Sequence, residues 1–252
     1  PPRSGGGSSP GAPSDTPRRN AARTRPVFVT FRLSQEAPAR HSSRASCCAA
    51  AYSGRMRTKA SPLLSPLVAE ADAAWESRAE GSHGGRARVG PVRRTIALLR
   101  AELAEEPLSI EGRWRLMRAL YFAGEYASTG DGEGKACFLE ASRIADECLA
   151  LLRARASEGS SRDWGRATPV ELVPRLASDP DAAPAFEGGG VAWGMYARAE
   201  GIFAAARQGA AARIRDFAAA VIRLAPAIDD AAGARTLGRL PHKTPSIPLV
   251  TG

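Results

Sequence analysis

Histidine and cysteine are scarce in this chain, and neither is spaced for chemistry. Its 252 residues hold three histidines and four cysteines. His41, His83 and His242 never fall at i, i+3 or i+4 from one another, and no HExxH, CxxC or CxxH spacing occurs. These absences exclude the usual zinc signatures, and nothing else in the sequence asks for a metal or cofactor. Cys47 and Cys48 are adjacent. Cys137 and Cys148 fall on one expected helix, about 16 Å apart along its axis, too far for a disulfide. Both read as small core residues. No apolar stretch reaches the roughly 7–15 residues of a secretory signal or the ~20 of a membrane span.

An excess of positive charge is present, but only at one end. The formal net charge is +9. Residues 1–60 hold eleven of the 35 Lys and Arg and two of the 26 Asp and Glu, so residues 61–252 carry 24 of each and no net charge. A surface that neutralises many phosphates needs an uncompensated basic face, so the second region is not a nucleic-acid binder. Residues 1–60 are rich in Pro, Gly, Ser and Arg, with one short apolar patch at Val27–Phe31. Such a composition predicts a disordered tail. Three readings of it stand: a basic arm, a targeting segment, or upstream sequence outside the native coding region. The chain begins with Pro1, and Met56, where the composition shifts, is a candidate start. Residues 1–55 are expected to be dispensable. Without a signal segment, the sequence as given points to the cytoplasm.

From about residue 62 the text turns helical: Leu, Ala, Arg and Glu dominate and runs of β-branched residues are missing. The spacing predicts helices over about 66–80, 91–106, 109–124, 134–156, 187–207, 210–224 and 229–239, with one short helix near Val170–Leu176. Cys137, Ala141, Ile144, Cys148 and Leu151/Leu152 form the cleanest stripe, one face of a helix packed on a neighbour. Pro169, Pro174, Pro180 and Pro184 mark a long connection over 157–184. The expected fold is all-α, with residues 61–252 forming one helical domain. Its antiparallel hairpins, 66–106, 109–156 and 187–224, would stack into a solenoid.

The stretch Thr95–Tyr126 resembles the tetratricopeptide pattern at a repeat junction. One helix ends at Pro107, and the next carries an early Trp114 and runs to the turn Gly124-Glu125-Tyr126. Phe217–Pro226 resembles a second helix ending of this kind. The spacing departs by one residue, and a Met or Arg stands where the repeat has a small residue. Beyond the generic repeat, Gly188–Gly201, the helix after it and Leu237–Gly252 are similar to the T-component family of TRAP transporters. That resemblance spans about 66–252. It implies a non-catalytic, oligomeric helical scaffold, a homotrimer by family expectation. Such a scaffold would sit in the cell envelope and dock a transporter's substrate-binding protein or an apolar ligand. It also implies further helices beyond Gly252. A missing lipoprotein signal departs from the family. The alternative is a cytoplasmic tetratricopeptide-like adaptor with an unrelated peptide partner.

Candidate chemistry is sparse. Gly130–Lys135 resembles a phosphate loop, but Thr129 and Ala136 occupy two required positions, so an inter-helix turn is the reading. An enzyme would have to use the Asp163–Arg166 loop or His242. Asp229 and Asp230 suit a helix N-terminus. Gly188, Gly189, Gly190, Gly194 and Gly201 cost about 1 kcal/mol each inside a helix, so they imply a close backbone approach or a wall without side chains. Gly190, Trp193, Gly194 and Tyr196 are therefore candidates for a groove taking an apolar ligand or partner segment. Trp164, with Arg166 beside it, is the candidate exposed anchor, since Trp flanked by Arg suits an interface hot spot.

Overall fold

The computed structural model describes residues 65–243; the tail over 1–60, Met56 and the segment 244–252 lie outside the described residues. Among those residues there are helices and no strand. The first helix, α1 (Pro66–Glu76), starts where Ser65 Oγ accepts from the Leu67 amide at 3.3 Å and Pro66 presets the first turn. It buries Val68, Ala71 and Trp75 and ends four residues short of expectation. In α2 (Val89–Glu105), Val92, Ile96 and Leu99 are buried. Ser109 caps α3 (Ile110–Phe122), accepting from Gly112 N at 2.9 Å.

The end of α3 departs from expectation. It runs on as a π turn over Ala123–Ala127 instead of stopping at Gly124. A Cβ on Gly124 would meet the Phe138 ring at 2.5 Å, and one on Gly134 would meet the Gly124 carbonyl at 2.9 Å. The two glycines let main chain touch main chain. Consequently α4 (Asp131–Ser157) begins three residues early, and most of the glycine-rich run expected as a turn is its first turn. Glu133 caps that start by accepting from Thr129 N at 2.9 Å.

After the connection come α5 (Pro169–Leu176), with a full Thr168/Glu171 capping box, and α6 (Ala182–Glu200). The expected helix 187–207 is two helices. Gly201, at φ +84°, breaks α6 from α7 (Ile202–Arg207). Next is α8 (Ala210–Leu224), which buries Ile214, Phe217 and Val221. The last helix, α9 (Ala232–Lys243), starts after Asp229, Asp230 and Ala231, all at positive φ. Asp229 and Asp230 therefore lie in a left-handed turn ahead of the helix.

Each helix but α5 packs against its successor in one core, with α3 and α4 both against α6, and α8 against α5, α6 and α9. Side-chain registers give the directions. Glu70–Arg94 and Ser65–Glu102 contacts make α1 and α2 run opposite ways. Arg113–Glu147 with Gly124–Phe138 does so for α3 and α4, and Trp193–Arg213 with Gly189–Phe217 for α6 and α8. By contrast, Arg93–Glu133 and Arg100–Glu140, both 2.7 Å and both 40 residues apart in sequence, set α2 and α4 running the same way. Asp72–Arg115 and Trp75–Phe122 do this for α1 and α3.

Among the described residues no helix is long and apolar enough to cross a membrane. Of the cysteines described, Cys148 is buried and its thiol is pushed up to about 12 by that burial. Cys137 is half-buried and also raised, burial again leading.

Candidate functional site

Two groups of polar side chains stand out from the core. The first joins α1, α3 and α6. Trp75, buried at the end of α1, has the Arg78 guanidinium 4.2 Å and the Arg118 guanidinium 4.4 Å from its ring centre. Arg115 lies 4.2 Å from the Trp114 ring centre. These are cation–π distances. Carboxylates complete the network. Arg115 Nε donates to both oxygens of Asp72 at 3.0 and 3.1 Å, Glu111 lies 2.9 Å from Arg115 Nη1, and Arg118 Nη2 reaches Asp72 at 3.5 Å. Burial, ahead of every nearby charge, pulls Arg118 down to about 10. Trp114 Nε1 donates to Asp181 at 3.1 Å and ties α3 to the start of α6.

Glu187 of α6 extends this group. It faces Arg118 of α3, Asp229 of the left-handed turn and Arg235 of α9. Burial first, then the Asp229 charge, pushes its carboxyl up to about 8. One of its oxygens is buried without a hydrogen-bond partner among the described residues.

The second group walls a cavity of about 450 Å³ between α4, α5 and α8. Asp146, Leu149 and Arg153 come from α4, Thr168 and Pro169 from the start of α5, and Arg213, Asp216 and Phe217 from α8. Arg213 pairs with Asp146 at 2.6 Å while stacking 4.2 Å from the Trp193 ring centre. Trp193 Nε1 also donates to Asp146, at 3.3 Å. Arg153 Nε donates to the Ala167 carbonyl at 2.9 Å, which pins the 157–168 connection to α4.

The residues expected to form a site are not all brought together. Trp193 and Tyr196 are, edge to face at 5.1 Å. Trp193 is buried, however, and reaches the cavity only through Asp146 and Arg213. Gly190, Trp193, Gly194 and Tyr196 are not among the residues that line the cavity, whose wall holds four charged side chains. Gly190 is buried, with Phe217 Cβ at 3.4 Å from a Cβ built on it. Close packing is clearest at Gly188, where Met117 lies at 3.2 Å, and at Gly189, where the Phe217 ring lies at 2.8 Å. A Cβ on Gly194 would meet nothing within 4 Å.

Trp164 is not an exposed anchor. It is 8% exposed, donates through Nε1 to Ser160 at 2.9 Å and is covered by Arg162 at 4.3 Å from its ring centre. The connection folds its aromatic ring inward, because a Trp left outside would keep a large apolar area in water. Arg166 stays exposed. Asp163 accepts from Gly165 N at 2.8 Å and shapes the turn. His242's side chain lies outside the described residues.

Sequence reasoning missed Arg78, Arg115, Arg118 and Glu187, as well as Asp146, Arg153, Arg213 and Asp216. The spacings Trp75/Arg78 and Trp114/Arg118 were the available signal, since i, i+3 and i+4 place side chains on one helix face. Comparison of the chain with family models, with curated proteins and with solved structures finds no match in any of the three.

Proposed function

We propose that the chain is a non-catalytic helical scaffold of tetratricopeptide-like build, similar to TRAP transporter T-components, that docks a transporter's substrate-binding protein. The observation that carries this reading is the register. Helix pairs α1/α2, α3/α4 and α6/α8 run in opposite directions, while α1 and α3, and α2 and α4, run in the same direction. A stack of helical hairpins has that order, and each added pair buries the apolar side its predecessor leaves open. In such a stack the first helix of every pair shares one surface. In support, Arg78 just past α1 and Arg118 of α3 both stack on Trp75, with the half-buried Trp114 beside Arg118, and these residue types dominate interface energetics. Self-association, with a trimer as the family expectation, belongs to the same proposal.

The test is affinity capture of the complete gene product from its native cells, comparing the unaltered chain with the double variant Arg78→Glu, Arg118→Glu. Mass spectrometry would identify the prey and the bait's N-terminus. Recovery of a solute-binding or transporter protein, lost in the variant, is the expected result. Recovery of cytosolic clients by a bait that starts at Met56 would replace this reading with that of a cytoplasmic adaptor.

A further inference from the structure

Besides the paired Arg213 and Asp146, the cavity between α4, α5 and α8 holds two opposite charges, Arg153 and Asp216, that do not pair with each other. On one side, Arg153 is held by the Ala167 carbonyl through Nε alone, and its two terminal nitrogens carry no hydrogen bond among the described residues. Its neighbour Arg213 is already committed to Asp146 and to the face of Trp193. On the other side, Asp216 has neither a hydrogen bond nor an ion pair among the described residues. Glu171, one turn into α5, adds negative charge near Asp216. The wall also holds three apolar side chains, Leu149, Pro169 and Phe217, all buried.

Electrostatics narrows what can fill this space. Burial leads in drawing Arg153 below the ordinary arginine value, with Arg213 adding to it and Asp146 opposing it; burial also leads in raising Asp216 above the ordinary aspartate value, against the Arg215 charge beside it. Each group is partly desolvated and has no ion pair of its own among the described residues, a shortfall that an ion of opposite sign makes up. A simple anion would satisfy Arg153 and leave Asp216 and Glu171 facing negative charge. A simple cation would do the reverse, and an apolar molecule would leave both groups unsatisfied. The second cavity, about 440 Å³ between α1 and α2, offers no such demand, because Glu70 and Arg94 in its wall are joined to each other at 2.5 Å.

We infer that the α4–α5–α8 cavity binds a small zwitterion, an apolar amino acid or a short apolar peptide. The terminal nitrogens of Arg153 take its carboxylate, Asp216 takes its ammonium, and Leu149, Pro169 and Phe217 take its side chain. At about 450 Å³ the cavity falls within the roughly 300–1,000 Å³ of small-ligand sites. This site stands apart from the scaffold reading, and either can fail without the other.

The test is isothermal titration of the full chain with L-leucine and with leucyl-leucine, whose charges lie different distances apart, alongside N-acetyl-leucine and leucinamide. At least one zwitterion is expected to bind, and removing either of its charges should weaken binding about tenfold or more. Arg153→Gln should abolish the preference for leucine over leucinamide, and Asp216→Asn the preference over N-acetyl-leucine. Those swaps separate ligand contact from a structural role, and circular dichroism melts check that each variant is folded. Absence of heat from both zwitterions at millimolar concentration on folded protein would overturn the inference. So would unchanged charge preferences in the folded variants.

Discussion

Arg115 and Arg118 on α3 resemble Arg153 and Arg213 around the cavity in composition, yet the two groups differ in what their charges meet. On the α1–α3 face, Asp72 is shared by two guanidinium groups and Glu111 completes Arg115. Both arginines also cover tryptophan rings. Around the cavity Arg213 and Asp146 pair with each other, while Arg153 and Asp216 line the space with no ion pair of their own among the described residues. The lesson is that burial with a partner fastens helices together, whereas burial without one leaves a demand that an outside molecule can meet.

Truncation should separate the two groups most sharply. Arg115→Ala leaves Glu111 without its cation and Asp72 with Arg118 alone, and is expected to cost about 2–3 kcal/mol in urea unfolding. Arg153→Ala should cost less than about 1 kcal/mol, since only one hydrogen bond to a carbonyl is lost. Equal losses would remove the distinction.

Within α6 the same contrast appears without charge. Gly189→Ala drives a methyl group into the Phe217 ring and should destabilise by about 2 kcal/mol. Gly194→Ala meets open space and should stabilise by about 0.5–1 kcal/mol, readable in the same unfolding series.

A further expected effect is a slope with pH. Glu187 holds its proton up to about 8 in the fold but ionises in the ordinary glutamate range once unfolded. Between those values the folded state keeps a proton that the unfolded state has released. This contribution is therefore complete below about pH 4.5 and is lost as the pH rises through about 8. Melting temperature should fall across that window, and Glu187→Gln should flatten the fall.

Helices were largely legible because period and punctuation agree: Ser65 and Ser109 cap starts, Thr168 and Glu171 form a box, and Ile214, Phe217 and Val221 keep one face. The misses have local causes. Gly124 and Gly134 could be read as a turn, but they serve a main-chain contact that propensity does not encode. Gly201 adopts a positive φ that its helical neighbours conceal. Trp164 was read from its arginine neighbours, although its own apolar area decides its position. The polar clusters depend on residues about 40 to 70 apart in sequence, such as Asp72 with Arg115 and Asp146 with Arg213. No local spacing reports those pairings.

The contact between Gly124 and Gly134 fixes α3 to α4 through main-chain atoms, a joint with no side chain to bend. From that joint α4 extends 23 residues further, about 35 Å, and its far half carries Asp146, Leu149 and Arg153. Arg113 grips Glu147 at 3.7 Å, 13 residues beyond the glycines, so the rod is bolted to α3 at two points and not one. Two bolts on one rod fix its bearing, and the cavity wall at Asp146 and Leu149 inherits that bearing.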